Sequence, residues 1–160
     1  MTFNHLVLIG GGHTNVLLLN KWLMCPKLMP EIPVSIISRD SHLVYSAIFP
    51  SVLSKSITLE ESLIDIKSLA TNAKVSFIEE EVKDIDFNLR EIILSNRPSV
   101  NYSKLVLNYG SQTIIPKEFE SLVKNRNAFS IKPFLRAYDS IQKEDIFDSV
   151  NELPFVIVGS

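Results

Sequence analysis

The stretch HLVLIGGGHTNV, residues 5–16, constrains this chain more than any other. An apolar run, Leu6 to Ile9, reads as a short buried strand, and three glycines follow it. Residues His13 to Met24 then have helical spacing, with Val16, Leu19 and Leu23 on one face and Leu18 and Trp22 beside it. Pro26 and Pro30 end that helix, and Pro33 precedes a second apolar run, Val34 to Ile37. Strand, helix and strand over so short a span form a βαβ unit, which implies a parallel sheet.

In such a unit the first glycine permits a tight turn. The second lets a pyrophosphate approach the backbone, where the helix N-terminus favours negative charge. Gly10 and Gly12 fit these roles, and Gly11 between them adds freedom. The third glycine of the pattern, which lets helix and strand pack closely, is replaced by Asn15. A glycine-rich turn that binds nothing is the competing reading. At the end of the second strand, where an acidic residue normally takes the adenosine ribose, stands Ser38. Its hydroxyl can hydrogen-bond but carries no charge. Arg39 follows, as a phosphate contact or a solvated arginine, and Asp40 comes two residues late. His13, at the helix start, either donates to a phosphate or caps the turn.

The rest of the chain reads as more α/β structure. Residues 41–58 look irregular, and Asp65 is placed to cap a helix running to about Ala73. Val75 to Ile78 is a third strand. Val82 to Asp86 and Glu91 to Leu94 flank Asn88 as antiparallel strands of a small meander, and Lys104 to Leu107 is a further strand ending at Asn108-Tyr109-Gly110. Phe129 to Ile131 reads as a short strand, and Pro133 as the first residue of a helix through about Phe147. Phe155 to Val158 is a last apolar strand. The fold class is therefore α/β, a parallel sheet with a small antiparallel meander.

Composition narrows the function classes. The net charge is −2, with acids and bases mixed along the chain, which argues against an electrostatic nucleic-acid binder. Cys25 is the only cysteine, so no intrachain disulfide exists, and its place at a helix end reads as a buried structural thiol. His5, His13 and His42 lack metal-ligand spacing, so no metal site is expected. No apolar run approaches the roughly 18 residues of a membrane span, and a cytoplasmic protein is expected.

Five segments in order, LVLIGGGH, YSAIFPSVL, YSKLVLNYGS, IKPF and FVIVGS, resemble the front of the flavin-dependent pyridine nucleotide-disulfide oxidoreductase superfamily. Within it the chain is most similar to the type II NADH dehydrogenase-like proteins, and most narrowly to the dehydrogenase-like part fused to selenide, water dikinase in some bacteria. The resemblance implies a Rossmann-like FAD/NAD(P)-binding domain over residues 1–152. It also implies the first strand of an NAD(P)H-binding domain over 153–160, so that this is the front portion of a longer architecture.

Several residue roles come only from that resemblance. Gly10, Gly11 and Gly12 would meet the FAD pyrophosphate, and Ser38 the ribose with Arg39 adjacent. Val82 would lie where backbone approaches the adenine, and Asn108-Tyr109-Gly110 where the chain closes over the cofactor. Of the usual Ala-Thr-Gly there, only Gly110 remains. Tyr45, Ser46 and Pro50 would pass near the flavin ring. The cofactor implied is FAD, with NAD(P)H as co-substrate. Hydride would pass from nicotinamide to flavin and on to a quinone or other acceptor, without a redox cysteine pair. No catalytic acid or base is identifiable. The alternative is a non-catalytic nucleotide-binding module beside a partner enzyme such as selenide, water dikinase. The chain alone is expected to retain FAD weakly, to be inactive, and to associate into homo-oligomers through its last apolar strand. In the full-length protein, a peripheral membrane position is a further expectation.

Overall fold

A computed structural model describes residues 4–111, 113–125 and 128–143. The first strand, β1 (Leu6–Ile9), is followed by helix α1 (His13–Met24) and then by β2 (Val34–Ser38). Next come β3 (His42–Val44), α2 (Phe49–Leu53), β4 (Leu63–Asp65), α3 (Ile66–Asn72) and β5 (Ser76–Glu79). The remaining elements are β6 (Val82–Asp86), β7 (Glu91–Leu94), β8 (Val100–Asn101), β9 (Lys104–Leu107), α4 (Glu120–Lys124) and α5 (Phe134–Lys143).

The chain divides into two compact units. The first comprises residues 4–45 and 57–110, the second residues 46–56 and the described residues from 111 onward. At the centre of the first unit is a four-stranded parallel sheet in the order β5-β2-β1-β9. All four residues of β1 are buried, because both faces of this sheet are covered. Alternation then sends successive side chains to different cores. Leu6, Leu8, Val34 and Ile36 pack with Val16, Leu19 and Trp22 of α1 and Ile66 and Ala70 of α3. Val7, Ile9 and Ile37 pack instead with Ile92 and Leu94 of the antiparallel sheet β6-β7-β8 and with Tyr102, which follows β8. Each of these fully buried aliphatics contributes roughly 1.5–3 kcal/mol.

His5 ties the edges of this arrangement. Its Nδ1–H donates to the Asn101 carbonyl at 3.0 Å, which leaves Nε2 to accept from the buried Ser35 hydroxyl, also at 3.0 Å. Asp65 caps α3 as expected: its carboxylate accepts from the Ser68 N–H at 2.9 Å and from the Ser68 hydroxyl at 2.5 Å.

Several expectations are corrected. Residues 41–58 are not wholly irregular: β3 pairs antiparallel with β4, joining Leu43 to Ile64 across a long connection that local patterning does not reveal. On α1, Trp22 is in the core while Leu23, in the last turn, is 40% exposed. Cys25 is exposed, not buried: it follows the helix end, where Pro26 turns the chain away. Phe129 to Ile131 form no strand. Ser130 takes up the local backbone groups instead, donating to the Lys132 carbonyl at 2.8 Å and accepting from the Lys132 N–H at 3.3 Å.

In the second unit the Phe49 and Phe134 rings lie 4.7 Å apart and tilted, and Ala137 and Ile141 of α5 are buried. Pro133 precedes α5 and accepts from the Ala137 N–H at 3.0 Å, so it caps the helix one position earlier than expected. The continuation of α5 to Phe147, the strand Phe155 to Val158 and the boundary at 152 lie outside the described residues.

Candidate functional site

Gly10 leaves β1 with φ +90° and donates its N–H to the Ile37 carbonyl at 2.7 Å. A Cβ there would lie 2.5 Å from the Tyr109 Cα and 2.7 Å from the Asn108 carbonyl carbon. Conformation and space thus both require glycine. Gly12 is the N-cap of α1 and donates to the Asn108 carbonyl at 3.0 Å. A Cβ at Gly12 would sit 2.5 Å from that same carbonyl oxygen and collide with the Asn108 side chain. One at Gly11 would meet the end of Ile66 and lie 3.1 Å from the Ser38 hydroxyl. The turn is therefore clamped between the end of β9, the start of α3 and the end of β2. Gly12 is demanded by this packing as well as by any approaching phosphate.

The first turn of a helix has N–H groups that the helix itself cannot satisfy. Here the Gly12 N–H takes the Asn108 carbonyl, and the Asn15 N–H takes the Asn108 Oδ1 at 3.3 Å. Gly12 supplies no side-chain cap. That leaves the N–H groups of His13 and Thr14 without a protein partner among the described residues. With the aligned peptide dipoles they form a positively polarised end that suits an anion such as pyrophosphate. Thr14 is exposed and His13 half-buried, so both are reachable.

Asn15, where the pattern would have its third glycine, is completely buried. Its Nδ2 donates to the Gly10 carbonyl at 2.8 Å and the Ile9 carbonyl at 3.3 Å, while its Oδ1 has no partner among the described residues. The amide fastens the helix to the turn by hydrogen bonding where a glycine would do so by close approach. Sequence reasoning saw only a departure from the pattern. No local signal marked this role, because it rests on the Ile9 and Gly10 carbonyls and on Asn108, far along the chain, which accepts from the Asn15 N–H.

Ser38 ends β2, is buried, and donates its hydroxyl to the Asp40 carbonyl at 2.8 Å. Toward a ribose it can therefore only accept. Arg39 pairs with its neighbour: Nη2 and Nε lie 2.9 and 3.2 Å from the Asp40 Oδ2, at the surface. The hydrogen bond and charge of Asp40 raise the guanidinium's pKa. Val82 opens β6, paired with Leu94 and packed on the second core. Asn108 and Tyr109 close against Gly10 and Gly12, but a Cβ on Gly110 would meet nothing within 4 Å. The glycine turn, Ser38, Asn108 and Tyr109 thus converge at the carboxyl ends of the parallel strands. Beside them the rings of His13 and Tyr45 lie 5.3 Å apart at 49°. Ser46 and Pro50 belong to the second unit. Among the described residues no three His, Cys, Asp or Glu side chains gather as metal ligands, and no helix is long and apolar enough to cross a membrane.

No protein-family model matches this chain, and no curated protein does. Solved structures do. Sulfide:quinone oxidoreductase from the hyperthermophilic bacterium Aquifex aeolicus is similar over 92% of this chain and 33% of its own, with a TM-score of 0.72 at 21% identity. The putidaredoxin reductase–putidaredoxin complex gives 0.64 at 14% identity, over 90% of this chain and 34% of that one. NDH2 from Plasmodium falciparum, solved with NADH, gives 0.56 at 16% identity, covering 70% and 23%. At these identities the likeness is one of fold. The chain shares the Rossmann-like α/β fold of these structures, and it spans about a third of the length of the first two. The narrower likeness to the part fused to selenide, water dikinase has no support in these comparisons.

Proposed function

We propose that this chain is the FAD-binding portion of an NAD(P)H-oxidising flavoprotein that delivers electrons to a quinone or another small acceptor. The observation that carries the reading is the glycine turn. It opens a helix whose His13 and Thr14 N–H groups face no protein acceptor among the described residues, beside the hydroxyl of Ser38. The fold and the names of its structural neighbours, two of which act on quinone or carry NADH, support it.

In this reading Gly10, Gly11 and Gly12 shape the backbone cradle. The His13 and Thr14 N–H groups hold the pyrophosphate, with the His13 ring as a further donor. The Ser38 oxygen accepts from the adenosine ribose. Arg39, released from Asp40, is within one residue of that ribose position, and the Val82 backbone borders the adenine. Asn108 and Tyr109 fix the turn, and Gly110 leaves the chain open beside it. FAD, when bound, would supply the hydride chemistry, and the chain's residues bind and orient it. Cys25 is the sequence's only cysteine, so a dithiol relay within the chain is impossible.

The test is FAD titration followed by flavin fluorescence, with ADP and FMN as competitors. The reading expects saturable FAD binding that ADP displaces and FMN does not, because only ADP carries the pyrophosphate and adenosine ribose. Displacement by FMN alone would refute the site. NADH-dependent bleaching of bound flavin, with a quinone analogue restoring the colour, would establish the enzyme. Flavin binding without bleaching is the result expected of this FAD-binding portion alone.

A further inference from the structure

The second unit contains a cleft of about 450 Å³ that has no part in the glycine-turn site. A volume of this size suits a small organic molecule. One wall is a single face of α5: Arg136, Ser140 and Lys143 are spaced by four and three residues and so stack along the helix. Arg136 and Lys143 are exposed and have no ion-pair partner among the described residues. Lys132 also lines the cleft, its ammonium held 3.4 Å from the Ser111 hydroxyl and 6.0 Å from the Phe134 ring centroid. Among the described residues no carboxylate lines the cleft. Its remaining surface is largely apolar, including Phe129 and the buried Ala137.

Three cations around an apolar floor, with no acid among the described lining residues, favour a ligand that is anionic at one end and apolar at the other. The distance between Arg136 and Lys143 along the helix, about 10 Å at 1.5 Å per residue, lets one charged group reach either cation while the body rests on the floor. Arg136 offers a planar fork that matches phosphate or carboxylate. We propose that this cleft binds a small organic anion, a phosphate- or carboxylate-bearing molecule with an apolar body. Its charge is held by Arg136 and Lys143, and its body lies against Phe129 and Ala137.

The test is calorimetric titration of the full chain with 1-naphthyl phosphate and 1-naphthoate, with 1-naphthylmethanol as the uncharged counterpart. The proposal expects saturable one-site binding of at least one of the two anions, and which of them binds identifies the headgroup. Binding should weaken about tenfold in Arg136→Gln and in Lys143→Gln, the effect of one lost charged hydrogen bond. It should be unchanged in Lys124→Gln, an exposed lysine outside the cleft. Equal binding of the alcohol, binding indifferent to both cleft variants, or no saturable binding of either anion would overturn it. None of these readouts uses flavin, so the result is independent of the glycine-turn assignment.

Discussion

Replacing Asn15 by aspartate changes one atom type in a completely buried side chain and keeps its shape. In the wild type the amide nitrogen faces two carbonyl oxygens, of Gly10 at 2.8 Å and of Ile9 at 3.3 Å. An ionised carboxylate there would be cut off from bulk solvent and face both oxygens, with no ion-pair partner among the described residues. Aspartate at 15 must therefore protonate on folding, and its pKa must rise. Once protonated it can donate one bond, to Gly10, while the Ile9 carbonyl keeps the Asn108 N–H at 2.8 Å.

The sign follows from linkage. A carboxyl whose folded pKa is raised costs stability as pH climbs above its unfolded value, near 3.9. At 1.36 kcal/mol per pH unit, the penalty approaches about 4 kcal/mol at pH 7 and shrinks to about 1 kcal/mol near pH 4.5. Against a typical total of 5–15 kcal/mol, that is a large loss. Asn15→Leu orphans the Gly10 carbonyl but also removes an unpartnered Oδ1, so it should cost roughly 1–3 kcal/mol at either pH. Urea unfolding followed by fluorescence of Trp22, the one tryptophan and a core residue, reads both variants against wild type. An aspartate penalty that is the same at both pH values would refute the buried-amide account.

Other expected outcomes are open to direct measurement. Gly12→Ala should destabilise by about 1–3 kcal/mol through overpacking, and Asn108→Ala should not rescue it, because the Asn108 backbone oxygen still stands 2.5 Å from the new Cβ. Gly110→Ala should leave the thermal midpoint unchanged, since that Cβ meets nothing within 4 Å. Asp65→Ala should destabilise α3 at neutral pH. The Ser68 hydroxyl and N–H lower the Asp65 pKa, so its contribution is present above the ordinary carboxylate range and is lost as pH falls through the depressed value. The gap between variant and wild type should close in acid denaturation series. Lys74 follows α3 with φ 60°, so Lys74→Gly should stabilise by about 0.5–1 kcal/mol in the same urea assay.

The central layers were legible because their signals are local. Leu6 to Ile9 and Val34 to Ile37 are buried on both faces and read as continuous apolar runs, and Asp65 stands in the cap position with Ser68 three residues on. The glycine turn was legible for the same reason. What escaped depends on distant partners. The pairing of Leu43 with Ile64 joins two stretches of the first unit that are separated in sequence by residues 46–56, and the burial of Asn15 follows from carbonyls at the end of the strand before it and from Asn108. A short cue was present at Thr58 and Glu61, whose reciprocal capping bonds start the turn before β4. Phe129 to Ile131 shows the opposite failure: an apolar pair around a serine suggested a strand, but Ser130 closes on the backbone of Lys132.

The central claim is that the backbone after Gly12 holds the pyrophosphate of a flavin dinucleotide. Amide proton–nitrogen correlation spectra recorded during an FAD titration address it residue by residue. The account predicts that the N–H signals of His13 and Thr14 shift most and in step with saturation, with Gly11 and Ser38 following. Saturable FAD binding that leaves His13 and Thr14 unmoved would contradict it.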